Sequence, residues 1–396
     1  MTTHTTATQV CIVGAGPAGL MLSHLLELAG VDSVVVDHRS RVEIQSTVRA
    51  GILERDSVQL LVESGVSDNV LIHGDEHRRI DLAFGGGSNR VDFHELVGAS
   101  VWLYPQTSVF EDLAAAREAV GADVRFGVAG TEVLDIGTER PVVRFVDADG
   151  LRQEVRCRYL VGADGSHSLC RQQVPEVDRR QYFQEYPFAW FGILCEAPKS
   201  AAELVYSHSA RGFALISQRT ESMQRMYFQC DPSEDVTQWS DDRIWAELQA
   251  RVGANGLTLQ EGPICDRAVL RFRSFVHEPM RSGSLLLAGD AAHTVPPTGA
   301  KGLNLALADV RVLAECLERA LRKDDVDALD EYTDRALSRV WKAQHFSYWM
   351  TRLLHQIPAG TEFDARRQLA ELQSVVGSTS GRTYLAEGYT GWPAPR

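Results

Sequence analysis

The sequence predicts an α/β protein, α+β in its details. A parallel-sheet dinucleotide-binding domain comes first, with a mostly antiparallel β-sheet domain inserted into it and a helical C-terminal region after it. Three observations predict this. The glycine turn Gly14-Ala-Gly16-Pro-Ala-Gly19 lies between an apolar strand pattern and a helical one. After about residue 180, short aromatic-rich strands take over, with Tyr182, Phe183, Tyr186, Phe188, Trp190 and Phe191 in quick succession. From Lys301 onward the pattern is mainly helical. At 396 residues the chain is long for a single core. The expected division is 1–180, 181–275, 276–322 (a return to the first domain) and 323–396, with a hairpin near 73–100 joining the sheet of the second domain.

Taken in order, Val10 to Val13 is a short apolar strand. The glycine turn follows, then a helix through Leu20, Leu22, Leu25, Leu26 and Leu28, which Gly30 stops. A second strand, Ser33 to Val36, ends in Asp37, 23 residues after Gly14. This is a complete Rossmann-like βαβ opening. Its glycines let the backbone approach a pyrophosphate, the helix N-terminus stabilises that charge, and Asp37 accepts from a ribose. Residues 40–70 read as a polar loop and then a helix with Leu53, Val58, Leu60 and Leu61 on its apolar face. Gly85-Gly86-Gly87 breaks a strand region at 77–103 into a hairpin. Ser108 to Val120 reads as a helix and 123–160 as a β-meander. Tyr159-Leu-Val-Gly-Ala-Asp164-Gly165 is again a strand running into a turn that ends in a carboxylate. Asp241 to Val252 is a helix inside the second domain, and 268–288 returns to the first. Helices are expected at about 302–322, 328–354 and 362–375.

Composition excludes several functions. The net charge is −13, and a nucleic-acid partner requires a basic face. The seven cysteines are scattered, with no CxxC pair, which argues against a disulfide framework or a metal site and for reduced thiols in a cytoplasm. The polar start MTTHTTATQ has no signal-peptide core. No run approaches the roughly 18 apolar residues of a spanning helix, so no membrane partner is expected.

The densest stretch is Gly289 to Asn304, GDAAHTVPPTGAKGLN. The strand Leu285-Leu286-Leu287-Ala288 stops at Gly289-Asp290. Pro296 and Pro297 forbid both a ladder and a helix interior, and a helix begins near Gly302. A carboxylate, a stiff turn with free carbonyls and a positive helix N-terminus fall within a few residues of one another.

The order GAGPAG at 14–19, Asp164-Gly165 and Gly289-Asp290 resembles the FAD-dependent class A aromatic hydroxylases, and most closely the members acting on 4-hydroxybenzoate. The matching runs cover nearly the whole chain: Arg49 to Glu54, Tyr104 to Thr107, Arg211 to Arg219, Leu270 to Phe275 and the GDAAHTVPPTGAKGLN stretch. The resemblance implies FAD, with its site on Gly14, Gly16, Gly19, Asp37, Arg49, Gln106, Asp164, Asp290, Lys301, Gly302, Leu303 and Asn304. It implies substrate contacts at Ser217, Arg219, Tyr227, Tyr206 and Pro297, with Tyr389 at the same site and His77 as a proton-relay histidine. It implies nicotinamide-cofactor contacts at His38, Arg49, His167 and Arg273, and a homodimer. The partners so implied are a small aromatic carboxylate and O2.

The chemistry gives these residues work. A phenol reacts poorly with an electrophilic oxygen, whereas a phenolate attacks through its ortho carbon. Phenols titrate near 10, so a proton path is needed. Tyr206 and Tyr389 each donate and accept, and His77 can pass a proton near neutral pH. A tyrosine in a sheet or a lone histidine is more often packing; the motif match is what raises these three above that. Alternation places Ser217 and Arg219 on one strand face, where a guanidinium forks onto a carboxylate. In the family this resemblance points to, the segment after the ribose acid helps choose the nicotinamide. NADPH-specific members have an arginine directly after the acid and an aromatic five residues beyond that arginine, where this chain has His38 and Glu43. Losing a cation while gaining an anion disfavours a 2′-phosphate, so NADH is expected over NADPH. Two other readings compete: the same chemistry on another para-substituted benzoate such as 4-aminobenzoate, and a non-catalytic protein on a flavin-type fold, which the intact GAGPAG, Asp164 and Asp290 set disfavours.

Overall fold

The computed structural model describes residues 3–47 and 51–392. Arg49, expected at both the FAD and nicotinamide sites, lies outside the described residues.

The opening βαβ unit forms as its pattern dictates. Strand Val10–Val13 is wholly buried and pairs in parallel with Ser33–Asp37. Between them runs the helix Pro17–Leu28, begun by Pro17 where a missing N–H costs nothing. Gly30 ends it in the left-handed region, at φ 68°. Around this unit a six-stranded sheet is ordered Arg281–Ser282, Leu285–Leu287, Tyr159–Gly162, Val10–Val13, Ser33–Asp37, Asp123–Phe126. All its pairings are parallel except that of the two-residue edge strand Arg281–Ser282. Its strands end, at their carboxyl ends, in Gly14, Asp37, Asp164 and Asp290 or lead directly to them. Ligands sit in such a crevice in open α/β sheets.

The expected meander at 123–160 is narrower than its pattern suggests. Only Ala129–Leu134, Val142–Val146 and Arg152–Arg156 form it, with His4–Ala7 added in parallel. Tyr159–Gly162, fully buried and apolar, joins the parallel sheet instead, and Asp123–Phe126 pairs in parallel with Ser33–Asp37 at that sheet's edge.

An eight-stranded sheet is ordered His293–Thr294, Ile264–Glu278, Arg180–Glu196, Met223–Cys230, Gly212–Gln218, Leu204–Ser209, Arg79–Phe84, Gly87–Asp92. The 79–92 hairpin joins it through parallel pairing of Arg79–Phe84 with Leu204–Ser209. Alternation sorts its side chains onto two cores. Phe191, Ile193, Ala214, Ile216, Met226 and Phe228 pack under the helix Asp241–Gly253 with Trp245 and Leu248. Trp190, Tyr206, Phe213, Leu215 and Tyr227 face the other way, toward Phe346, Met350, Leu385 and Tyr389 of the C-terminal helices. The return to the first domain falls late in the 268–288 window, because Ile264–Glu278 pairs along most of its length with Arg180–Glu196.

Three local expectations change. Leu53 belongs to a short strand, Ile52–Glu54, that pairs with Val101–Leu103, and the helix starts after it at Arg55. A helix, Phe93–Val97, interrupts the strand region at 77–103, capped by the Asp92 side chain. After the helices Gly302–Arg322, Glu331–Leu354 and Glu362–Gly377 comes a fourth, Thr379–Thr390, which carries Tyr389.

Candidate active site

A cavity of about 1250 Å³ runs from the carboxyl ends of the parallel strands to one face of the eight-stranded sheet. At its first end the glycines make room. Gly14 has φ 113°, and a Cβ there would lie 2.2 Å from the Ala163 carbonyl; at Gly19 a Cβ would lie 1.8 Å from the Gly14 carbonyl. Both glycines therefore allow close backbone packing, and Gly19 does so from behind the cavity wall. Gly16 meets nothing within 4 Å and lines the open space, a cradle a pyrophosphate fits. Asp37 is buried; its Oδ2 accepts from the Ala15 N–H at 2.8 Å and from Arg39, which forks onto the carboxylate through Nε and Nη2. Gln106, Asp164, His167, Asp290 and Arg273 line the same end, and His38 lies exposed at its rim. Asp164 also organises its own surroundings, accepting from Ser168 Oγ at 2.5 Å and from the Cys170 N–H at 3.1 Å.

The GD turn is held from behind by a buried pair. Asp309 Oδ2 accepts from the Gly289 N–H at 2.9 Å and lies 2.6 Å from His293 Nε2. Burial pushes the His293 value down, but the Asp309 carboxylate outweighs it, and the net shift is upward. His293 is therefore favoured as a cation that holds Asp309 in place.

At the middle of the cavity the chain passes through a tight turn, Pro297–Gly299, to Ala300 in the left-handed region (φ 52°) and then the helix Gly302–Arg322. Lys301, Gly302 and Leu303 line the cavity there. Lys301 is itself buried: its Nζ donates to Glu54 Oε1 at 2.6 Å and to the Tyr389 carbonyl at 2.8 Å. Burial lowers its value against the opposing pull of Glu54. Arg339 donates to the other Glu54 oxygen at 2.9 Å and to the Trp392 carbonyl at 3.0 Å. Asn304 stands behind the wall. Its side chain accepts from the Glu54 N–H and Ser57 Oγ and donates to the Ile52 and Ala300 carbonyls, so it locks the strained Ala300 turn and leaves only its backbone for the helix N-terminus.

The far end is made by the sheet. Leu204–Ser209, Gly212–Gln218 and Met223–Cys230 are adjacent, and their register lines up Tyr206, Leu215 and Tyr227 across three strands. Ser217 and Arg225 form the next row on the same face, with Arg219 beyond. Arg219 is drawn down from the usual guanidinium range by burial and is hydrogen-bonded with Tyr227. Arg225, which sequence reasoning missed, donates from Nε to the Tyr227 hydroxyl at 3.0 Å and lines the cavity. With two arginines donating to its oxygen, Tyr227 has its own proton to donate to a ligand. Gly192 gives that ring room, since a Cβ there would lie 2.9 Å from it. The alternation that pairs Ser217 with Arg219 also pairs Arg225 with Tyr227, so Arg225 was readable.

Tyr206 lines the cavity, and Tyr389 stands behind it, hydroxyl to hydroxyl at 2.7 Å. Burial raises both phenols above the ordinary range, with the Tyr389 hydrogen bond opposing this at Tyr206. Neither ionises at neutral pH by itself; the pair suits relay. Pro297 lines the cavity, but its carbonyl accepts from the Ala300 N–H at 2.9 Å. The Thr298 carbonyl is the one that faces the Tyr206 hydroxyl, at 3.4 Å. His77 does not line the cavity. It is buried with no well-formed hydrogen bond to either ring nitrogen, although Asp75 Oδ2 lies 3.4 Å from Nε2. Burial lowers its value, with Asp75 opposing.

A cavity joining a pyrophosphate cradle to a pocket with a guanidinium at one end and paired phenols at the other is the architecture of a flavin-dependent aromatic hydroxylase. The comparisons agree. Residues 7–347 match the family described as "FAD binding domain". The chain is 43% identical over 391 residues, 98% of its length and 96% of the other's, to the p-hydroxybenzoate hydroxylase of Acinetobacter baylyi. It is 26% identical to a probable NADH-specific resorcinol 4-hydroxylase of Rhodococcus jostii, covering 82% of this chain and 62% of that one. Its fold matches a p-nitrophenol 4-monooxygenase from Pseudomonas putida DLL-E4 with a TM-score of 0.81 at 19% identity, covering 98% of this chain and all of that one. The chain belongs to the FAD-binding class A aromatic hydroxylase family and is an FAD-dependent aromatic monooxygenase. Among the described residues no helix is long and apolar enough to cross a membrane, and no cluster of residues could hold a metal ion.

Two predictions follow from this geometry. Replacing Glu54 by alanine leaves Lys301 buried against carbonyl oxygen alone; unfolding free energy in urea is expected to fall by roughly 3–5 kcal/mol, and a loss below about 1 kcal/mol would contradict the ion pair. The second concerns pH. A histidine value raised by folding adds stability below its unfolded value near 6.5, and that stability is lost as pH rises through the folded value. The stability difference between wild type and Asp309→Asn should therefore be largest at about pH 6 and shrink toward alkaline pH; a difference that grows with pH would remove the His293–Asp309 assignment.

Proposed function

We propose that the protein hydroxylates 4-hydroxybenzoate at the 3-position, giving 3,4-dihydroxybenzoate, with O2 and a nicotinamide cofactor, NADH by preference. The observation that carries this reading is the placement of Arg219 and Tyr206 on one cavity face. Arg219 lies four residues along its strand from Leu215, the cross-strand neighbour of Tyr206. Arg219 directly follows the end of that strand at Gln218, and Arg219 and Tyr206 both line the cavity. A guanidinium selects a carboxylate there by a forked, charge-assisted contact. Ser217 and Tyr227 add neutral donors.

Bound FAD, reduced by the nicotinamide, supplies the electrons and activates O2. The residues of this chain do the rest. The free N–H groups of the first turn of Gly302–Arg322, next to Lys301 whose charge is paired with Glu54, would favour negative charge on a flavin bound in the cavity. Tyr206 accepts the substrate's phenolic proton as it gives its own to Tyr389, and Tyr389 releases its own proton outward in the same relay, so a phenolate forms in the cavity while neither tyrosine holds a charge. His77, buried and with its value lowered by that burial while Asp75 opposes, is the residue through which we route the proton toward solvent; Asp75 beside it is half-exposed. The para hydroxyl favours this substrate over 4-aminobenzoate, whose amine has no comparably acidic proton for the pair to carry.

For the nicotinamide, Glu43 supports the NADH reading. It is fixed in place by a capping box with Ser40, whose N–H donates to it at 2.7 Å. Arg39 is turned inward onto Asp37 and away from an added phosphate. A relative's name also carries NADH specificity. His167 and Arg273 at the cavity rim are proposed to meet the nicotinamide cofactor, and a homodimer is the assembly we expect.

The deciding experiment is product analysis after NADH oxidation with 4-hydroxybenzoate, 4-aminobenzoate and benzoate. We expect 3,4-dihydroxybenzoate from the first alone. Arg219→Ala should raise KM for the substrate by roughly 10- to 150-fold, the worth of a charge-assisted hydrogen bond. Tyr206→Phe should still consume NADH but release hydrogen peroxide; full product yield from that variant would remove the proton-relay role. A kcat/KM for NADPH above that for NADH would sink the cofactor preference.

A further inference from the structure

The helix Glu331–Leu354 carries a buried polar face that the reaction as described does not use. Gln344, Ser347 and Thr351, with the capping residue His355 after them, recur at spacings of three and four and so share one side of the helix. Gln344 is 6% exposed and the other three are fully buried. Such a stripe costs desolvation unless each group is matched. Gln344, Thr351 and His355 are matched by residues in the cavity wall or directly behind it, while Ser347 Oγ has no hydrogen-bond partner.

Gln344 Nε2 donates to the Phe275 and Thr294 carbonyls at 3.1 and 2.8 Å. This joins the strand His293–Thr294 to its neighbour immediately before Pro296 and Pro297. Ser347 backs Gly299, where a Cβ would lie 3.1 Å from its Oγ. Thr351 Oγ1 donates to Thr298 Oγ1 at 2.9 Å, so the residue whose carbonyl faces Tyr206 is gripped by its own side chain. His355 Nδ1 meets the Thr351 carbonyl at 2.8 Å, and its Nε2 receives the Trp190 indole N–H at 2.6 Å. Trp190 lines the cavity and packs against Tyr227 with ring centroids 4.8 Å apart.

We propose that this helix face is the gauge of the substrate cavity. Gln344 and Thr351 set the hydroxyl end through the 294–298 turn, and His355 sets the carboxylate end through Trp190 and Tyr227. The four residues touch no reacting atom; they are positioning residues. One helix braces both recognition ends, the 294–298 turn at one and the strand that carries Trp190 at the other. Thr351 has a particular task. The Tyr206 proton has two acceptors within reach, Tyr389 at 2.7 Å and the Thr298 carbonyl at 3.4 Å. A turn free to move closer would take that proton, and Tyr206 would then be unable to pass it to Tyr389. The grip on Thr298 keeps the carbonyl at the longer distance and the relay directed outward.

This inference rests on the reading of the cavity as a 4-hydroxybenzoate site, and the test separates the two. Purified holoenzyme variants are compared with wild type for KM, kcat and the fraction of NADH that ends in hydroxylated product, with thermal melting as control. Thr351→Val should lose product yield to hydrogen peroxide at least threefold while KM changes less than twofold, and Thr351→Ser, which keeps the hydroxyl, should restore coupling. His355→Phe should do the reverse, raising KM about tenfold, equivalent to about 1.4 kcal/mol, with coupling retained; His355→Gln, which keeps an acceptor for the indole, should recover most of it. The two arms are independent, so loss of folding in one leaves the other decisive. Wild-type coupling in Thr351→Val, or equal loss in Thr351→Val and Thr351→Ser, overturns the gauge while the substrate reading stands. Absence of product from wild type overturns the substrate reading and the gauge together.

Discussion

Lys301 and Glu54 meet at 2.6 Å with side chains 2% and 4% exposed, and much of the site depends on that contact. Isolated buried charges are untenable, and a buried pair gains little net stability against an apolar replacement of the same shape. Its value lies in what it joins. Glu54 ends the strand Ile52–Glu54, Lys301 immediately precedes the helix Gly302–Arg322 at the middle of the cavity, and the Lys301 ammonium grips the Tyr389 carbonyl. Arg339 closes the cluster from the long C-terminal helix by holding Glu54 and the Trp392 carbonyl. Three stretches far apart in sequence are thus fixed together at the middle of the cavity. Gly391 is part of the same fit, since a Cβ there would lie 2.0 Å from a Glu54 oxygen.

The cavity that results is electrically divided. One end holds Arg219 and Arg225 on adjacent strands, with Tyr227 between them in the hydrogen-bond order. The other holds two buried phenols with values pushed up by burial. A molecule with one carboxylate and one ionisable hydroxyl on opposite sides of a ring meets a permanent cation at one end and a neutral relay at the other. The fold supplies this division cheaply: strand alternation aims Ser217, Arg219, Arg225 and Tyr227 to one side, and the same alternation sends Ile216 and Met226 to the core beneath helix Asp241–Gly253.

Much of this was legible in the sequence, for reasons that differ by residue. The βαβ opening was readable because strand, glycine turn, helix and acid stand within 30 residues, so short-range chemistry decides the structure. Arg219 and Ser217 were readable from alternation. The Thr379–Thr390 helix was not, because its helical pattern is weak and its stability comes from Leu385, Ala386 and Tyr389 packing on distant strands. The contacts of Glu54 with Arg339 and with Asn304 were not legible for a related reason: the partners lie some 250 residues or more apart. Pro297 shows the limit of motif reading. The residue expected at the substrate has its carbonyl engaged in its own turn, and the neighbouring Thr298 carbonyl approaches the tyrosine relay, a distinction set by backbone dihedrals.

The central claim is that the Tyr206–Tyr389 pair removes a phenolic proton from a ligand anchored by Arg219. It is tested most directly by ultraviolet difference titration of 4-hydroxybenzoate bound to the oxidised holoenzyme, in wild type and in Tyr389→Phe. Free phenols ionise near 10. The account predicts that the bound ligand ionises about one to two pH units lower in wild type and returns to the ordinary phenol range in Tyr389→Phe, with ligand affinity nearly unchanged. Identical titrations in the two proteins would contradict it.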